Sequence, residues 1–180
     1  NKHDQSITGL KTFTSGIATD DITSPSSNAD INIDPAGTGA VNILSSATIT
    51  TTTTDDSLTI TTTENSNSAA PVISLKRNSA SPDDADYLGQ IKFKGENDAD
   101  QEIVYAKMTG KILDASDGSE DGIIEFAFQK AGSNTIAGRF RSDSLQLLNS
   151  TNLRVTGVTE LGVQGSHPST TSNFAKIYAK

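Results

Sequence analysis

Apolar positions fall in short alternating pairs in the first part of the chain and in longer runs after residue 69. In residues 1–27, Ile7, Leu10, Phe13 and Ile17 recur at spacings of three and four, a helical period. Gly9, Gly16 and the surrounding Thr and Ser oppose a helix, so short extended pieces joined at the glycines are expected. Residues 28–68 carry a rung-like pattern. Ile31 and Ile33 alternate with polar neighbours, Val41 and Ile43 repeat this pattern, and Ile49, Leu58 and Ile60 follow. Turn formers such as Asp34-Pro35-Ala36-Gly37 separate the pairs, and the β-branched tract Thr48–Thr54 favours extended chain. Period-two alternation at regular intervals predicts stacked short strands.

Residues 69–150 have the pattern of a folded body. Strands are predicted at Pro71–Lys76, Tyr87–Lys94, Ile103–Met108, Ile123–Phe128, Thr135–Arg141 and Ser144–Leu148. Loops rich in Asp, Gly, Asn and Ser divide them, which argues an antiparallel sandwich or barrel. Ile91 and Phe93 alternate with Lys92 and Lys94, so one face of that strand is wet. Residues 151–180 add a short strand at Leu153–Val155 and an alternation from Phe174 to Tyr178. That alternation runs up to the last residue, as in a piece of a longer polypeptide or a terminus that pairs with a neighbour.

Composition sharpens this picture. Only 33% of residues are hydrophobic and 5% aromatic, against about 45–50% apolar in ordinary globular domains. A single inward pair per rung is too little for a private core, so Ile31, Ile33, Val41, Ile43, Ile49, Leu58 and Ile60 are expected to form a core shared among chains. A flexible Thr-rich linker is the alternative. No run of about 18 apolar residues exists, so membrane insertion is not expected, and no charged-apolar-small leader opens the chain, so no signal peptide is expected. With no Cys, a disulfide framework is excluded; the net charge of −8 argues against nucleic acid as a partner.

The opening Gln5-Ser6-Ile7-Thr8-Gly9-Leu10-Lys11-Thr12-Phe13 resembles the short repeat of tailed-phage tail fibres. Asn28–Gly39, Ser74-Leu75-Lys76-Arg77-Asn78, Gly89–Phe93 and Ile112–Gly118 are similar to segments of fibre-like structural proteins of marine phages, as is the closing Phe174–Lys180. The resemblance spans most of the chain, through motifs that are structural and carry no catalytic or receptor-contact residue. It implies an all-β, elongated homotrimeric fibre in the virion, outside the cell. Such a fibre would have an intertwined triple β-helix or β-prism-like stalk, an antiparallel β-sandwich body, and other virion proteins as partners. The expected function is a shaft or spacer of a tail or side fibre serving host attachment. A capsid, neck or head-decorating fibre of the same build, and a non-viral extracellular filament subunit, stay open as alternatives.

Chemistry adds little. The acid pairs Asp55-Asp56, Asp83-Asp84 and Glu120-Asp121 lie in solvated loops, and His3 and His167 have no triad context, so no enzyme activity and no cofactor are expected. Asp114, Asp117 and Asp121 could form a loop calcium site, although the helical calcium loop fails because its twelfth position is Phe128. A solvated turn explains the same residues. Contact with a host cell-surface glycan would fall on loops 81–87, 95–102 and 114–122, with Tyr87, Asn97, Asp98, Asp117 and Glu120 as candidates. Arg139 and Arg141 flank Phe140 and are expected to balance neighbouring acids.

Overall fold

The computed structural model describes residues 14, 17–19, 21–23, 30–35 and 37–160. The segment around Ile7, Leu10 and Phe13, both histidines and the closing Phe174–Tyr178 alternation lie outside the described residues. Two compact units divide the chain, residues 1–61 and 62–180. In the first unit the described residues form no strand or helix, although rungs were expected there. All seven of the positions expected in the shared core, and Leu44 among them in the sequence, are exposed, Ile43 at 65%. Isolated pairs of Ile or Val flanked by Thr and Asp have too little apolar area to pin a backbone that lacks partner strands.

The second unit contains five strands: β1 (Tyr87–Glu96), β2 (Glu102–Asp114), β3 (Asp121–Lys130), β4 (Ser133–Arg141) and β5 (Leu145–Leu147). They form one antiparallel sheet in sequential order, a meander. The chain is thus all-β among its described residues, and the antiparallel strands expected between residues 87 and 148 are present. A second layer is not: the five strands make a single sheet. Pro71–Lys76 and Leu153–Val155, expected as strands, join no ladder. The first of these is held by side chains instead. Leu75 sits over Gly89, and Arg77 forms an ion pair with Asp86 at 2.9 Å and donates to the Tyr87 carbonyl at 3.2 Å.

Local chemistry explains the turns. β3 and β4 are joined by Ala131-Gly132 with both φ values positive, 47° and 80°, the backbone that matches the twist of a two-residue hairpin. Between β1 and β2, Asn97 closes the loop with its side chain: its Oδ1 accepts from the Ala99 and Gln101 amides, and its Nδ2 donates to Gln101 Oε1. Between β2 and β3, Ser119 N–H donates to the Ser116 carbonyl around Gly118 at φ 82°.

Extra residues interrupt the ladders at Leu88, Tyr105, Leu113 and Ala137. Such bulges raise local twist and bend the strands. β2 and β4 approach each other across β3, and Asn134 Nδ2 donates to the Val104 carbonyl at 3.3 Å. The sheet therefore curls there toward the face that carries its charges.

Candidate functional site

Residues paired across an antiparallel ladder share a face, so the register sorts the sheet into two chemically distinct surfaces. On one, Gln90, Thr109, Glu125, Arg139 and Gln146 form an unbroken polar row over all five strands. A second row is Lys92, Lys107, Ala127 and Ile136; a third is Tyr87, Lys111, Ile123 and Arg141. On the other surface, Ile91, Met108, Phe126, Gly138 and Leu147 make the central row. Gly89, Gly110, Ile124, Phe140 and Leu145 flank it on one side, with Phe93, Ala106, Phe128 and Thr135 on the other.

Burial is the reverse of what these compositions lead one to expect. Apart from Gly138, the buried residues are all on the charged face: Thr109, Ala127, Glu125 and Ile123. Long side chains flank them in register, Lys111 and Arg141 beside Ile123, Lys107 beside Ala127, Arg139 beside Glu125 and Gln90 beside Thr109, and stems of this kind shield what lies between them. Glu125 is 6% exposed and is held by Arg139 Nη2 at 3.0 Å and Lys111 Nζ at 3.8 Å. Gln90 Nε2 donates to Thr109 Oγ1 at 3.1 Å. Lys111 also lies 4.8 Å above the Tyr87 ring. Arg139 Nε and Arg141 Nε are buried with no hydrogen-bond partner among the described residues. Asp143 comes within 3.5 Å of the Arg141 Nε as an electrostatic contact without hydrogen-bond geometry. Arg139 thus balances an acid, Glu125, as expected.

Beside this row the curl of the sheet leaves a groove of about 400 Å³ lined by Gln90, Lys92, Glu102, Lys107, Gln129 and Asn134. Ile103 and Val104 complete its wall, so amide and ammonium donors stand beside an apolar strip. Lys92 and Lys107 stand directly opposite each other across β1 and β2, an unfavourable pairing of like charges. Glu102 in the same groove is taken by Lys94 at 2.6 Å. The groove was missed in the sequence because it depends on the Tyr105 and Ala137 bulges; the Lys92/Lys94 alternation was the only sign of the wet face.

The residues singled out in the sequence are scattered. Tyr87 opens β1 and packs under Lys111, and Asn97 organises its own turn. Asp98, Asp117 and Glu120 are exposed loop residues. Asp114 and Asp121 face each other at the mouth of the β2–β3 hairpin, with Asp117 in the connecting turn. Among the described residues no group of three or more His, Cys, Asp or Glu is placed to hold a metal ion. The Asp114 carboxyl is held below its ordinary value by the Ser116 amide, which donates at 2.8 Å, and by the Ser116 hydroxyl. Glu64 is lowered likewise by the Ser66 hydroxyl and then its amide.

Glu125 has no second carboxylate among its register neighbours, so this row does not form a two-acid centre of the kind glycoside hydrolysis uses. Among the described residues no helix is long and apolar enough to cross a membrane. In comparisons with protein-family models, curated proteins and solved structures, nothing matches the chain.

Proposed function

We propose that this chain is a non-catalytic structural subunit of a phage virion fibre, a shaft or spacer for host attachment assembled as a homotrimer outside the cell. The observation that carries this reading is the shortage of private core. Among the described residues only Ile123 and Ala127 are buried hydrophobics, while every large apolar side chain of residues 30–61 is open. A chain of 180 residues that folded alone would bury close to about 70% of its unfolded surface. One built to share its interior would leave these positions open until copies meet. The phage-fibre resemblance of the opening repeat and of Asn28–Gly39 turns this shared-core chemistry into a fibre, with an intertwined β-stalk from residues 28–68 and a β-body from residues 69–150. The body's second layer comes from assembly in this reading. Other virion proteins are the partners at its ends, and the groove beside Lys92 and Lys107 offers amide and ammonium donors to a host glycan.

Light-scattering mass of the full chain tests the assembly, and antibody labelling of particles tests the location. A mass three times the 18.8 kDa of one chain with label on thin projections is expected. A monomer at tens of micromolar, or label confined to the capsid shell, would overturn the reading.

A further inference from the structure

The apolar surface of the sheet has a property that the assembly reading does not by itself supply: its centre is a continuous apolar face over all five strands. Its three central rows contain no charged residue and Thr135 is their only polar side chain, with Lys130 and Ser133 following at the β3–β4 end. Phe126 and Phe140 meet edge to face at its centre, 6.0 Å apart and inclined by 74°. Around them Ile91, Phe93, Ile124, Phe128, Leu145 and Leu147 are exposed, Phe93 at 61%.

We infer that this face is buried against the same face of other copies of the chain, the sheets of the proposed trimer turning their apolar sides to a common axis. The inference rests on the self-association in the proposed function, not on the virion location, and it names a surface that the Ile31–Ile60 positions do not include. Area is the first argument. Seven half-exposed large side chains of about 150–200 Å² each leave roughly 600 Å² of open apolar surface. That is at or beyond the largest patch of a typical monomer, about 300–600 Å². Three copies turning this face to a common axis would bury about 1,800 Å² together, the size of a standard specific interface.

Shape is the second. A shallow apolar dent of about 190 Å³ lies among Ile91, Phe93, Ala106, Met108, Phe126 and Phe128. A side chain at Gly110 would meet nothing within 4 Å, so the face offers both projecting rings and an open slot to receive them. Charge is the third. Stacking this face on the opposite surface of another copy would bury Lys92, Lys107 and the Arg139 row against hydrocarbon, at a desolvation cost that like-on-like contact avoids. Finally, a sheet needs a second layer to bury its apolar side. Leu75 covers this face only at its edge, over Gly89, and the other described apolar residues flanking the sheet, Val72, Ile73, Leu153 and Val155, are themselves exposed.

The full chain has no cysteine, so single thiols report each face cleanly. Ala106→Cys places one beside the apolar dent, and Lys92→Cys places one on the charged face. Ala106 is half-buried and Lys92 exposed in the single chain, so each thiol is compared with itself. On association Ala106→Cys should lose maleimide reactivity relative to the dilute chain while Lys92→Cys keeps it, together with a loss of association in Phe128→Lys. For a central aromatic anchor the dissociation constant should rise by about tenfold or more. Phe128 is exposed in the single chain, so the substitution is compatible with folding, and circular dichroism verifies this. A monomeric chain would overturn both this inference and the proposed assembly. An oligomer in which Ala106→Cys keeps the reactivity of the dilute chain and Phe128→Lys changes nothing would overturn this inference alone. Protection of Ala106→Cys in a monomer would overturn it too, by showing that the chain covers its own face.

Discussion

A Cβ placed on Gly89 would lie 2.9 Å from the Cβ of Leu75. That contact fastens the strand-free Val72–Arg77 segment to the start of β1, together with the Arg77–Asp86 ion pair. Leu75 is the side chain through which a segment expected to be a strand is instead held against one.

Gly89→Ala should therefore destabilise the protein. Relief of glycine's chain entropy favours the substitution by about 0.5–1 kcal/mol, but overpacking costs about 1–3 kcal/mol and wins. The clash is with a Cβ, so Leu75→Ala in the same chain relieves only the contact to Cδ1, at 3.2 Å. Leu75→Gly relieves both. Thermal melts should order the doubles accordingly, and limited proteolysis of Gly89→Ala should show new cleavage near Lys76 and Arg77.

The Glu125 carboxylate is the most deeply placed charge of the sheet, with its side chain 8% exposed against 27% for Arg139. Removing one member of a buried pair costs about 3–5 kcal/mol; since Arg139 is partly solvated and Lys111 remains nearby, about 1–3 kcal/mol is expected for Arg139→Met. Glu125→Gln should cost less, because the two cations it releases can reach water. The Glu125→Met/Arg139→Met double should recover part of the single loss. Denaturant unfolding of the four proteins measures this, and a larger loss for Glu125→Gln than for Arg139→Met would contradict the assignment.

Much of the sheet was legible because its two-residue period is strong. Ile91-Lys92-Phe93-Lys94 and Glu125-Phe126-Ala127-Phe128 announce strands with chemically different sides, and β1, β3 and β4 lie where that period places them. The bulges at Tyr105 and Ala137 were not legible, because an extra residue is defined only against the partner strand. They move Val104 and Ile136 onto the charged face and so create the groove. Val72-Ile73 has the composition of a strand but finds no free ladder. In residues 30–61 the alternation is as clear as in the sheet, yet no strand forms in a single chain. Periodicity states which side chains could share an interior, not who supplies its other half.

Ala131 is a second place where local sequence and geometry disagree. Its φ of 47° is left-handed, which costs a residue with a Cβ about 1–2 kcal/mol unless a short polar side chain compensates. Ala131→Asn should stabilise the β3–β4 hairpin by about 0.5–1 kcal/mol, since Asn-Gly is the favoured pair for this turn. Ala131→Gly should gain less, because added freedom in the unfolded chain returns about 0.4–1 kcal/mol. Melting followed by circular dichroism should rank Asn first; a loss with Asn would count against the turn geometry.

Acid should loosen the β2–β3 turn. The Ser116 amide, and then its hydroxyl, hold the Asp114 carboxyl below the ordinary 3.8. A carboxyl whose folded pKa is depressed contributes stability above its unfolded value and loses that contribution as pH falls through the folded one. Protection of the Ser116 amide should decline in that acidic window and be constant near neutrality. Ser116→Ala should raise the Asp114 pKa only part of the way, because the amide donor remains. Carboxyl titration by NMR checks both, and a full return to the ordinary value in Ser116→Ala would show that the hydroxyl is the main cause.

The alternating pairs of the first unit supply the sharpest distinction between a linker and a shared core. Ile31, Ile33, Val41 and Ile43 are all exposed in one chain, so a charge placed there costs an isolated protomer almost nothing. In an assembly that buries them, each lost side chain removes about 1.5–3 kcal/mol of transfer energy per copy, before the added penalty of an unpaired carboxylate. Ile33→Asp/Ile43→Asp should leave the circular dichroism of dilute, dissociated chain unchanged while lowering the melting temperature of the concentrated protein. Protease should cut between residues 31 and 60 far faster in the variant than in the unaltered assembly. Equal cleavage in the two proteins, with unchanged association, would mean that these residues are solvated linker whatever their periodicity, and the shared interior would then have to come from the sheet alone.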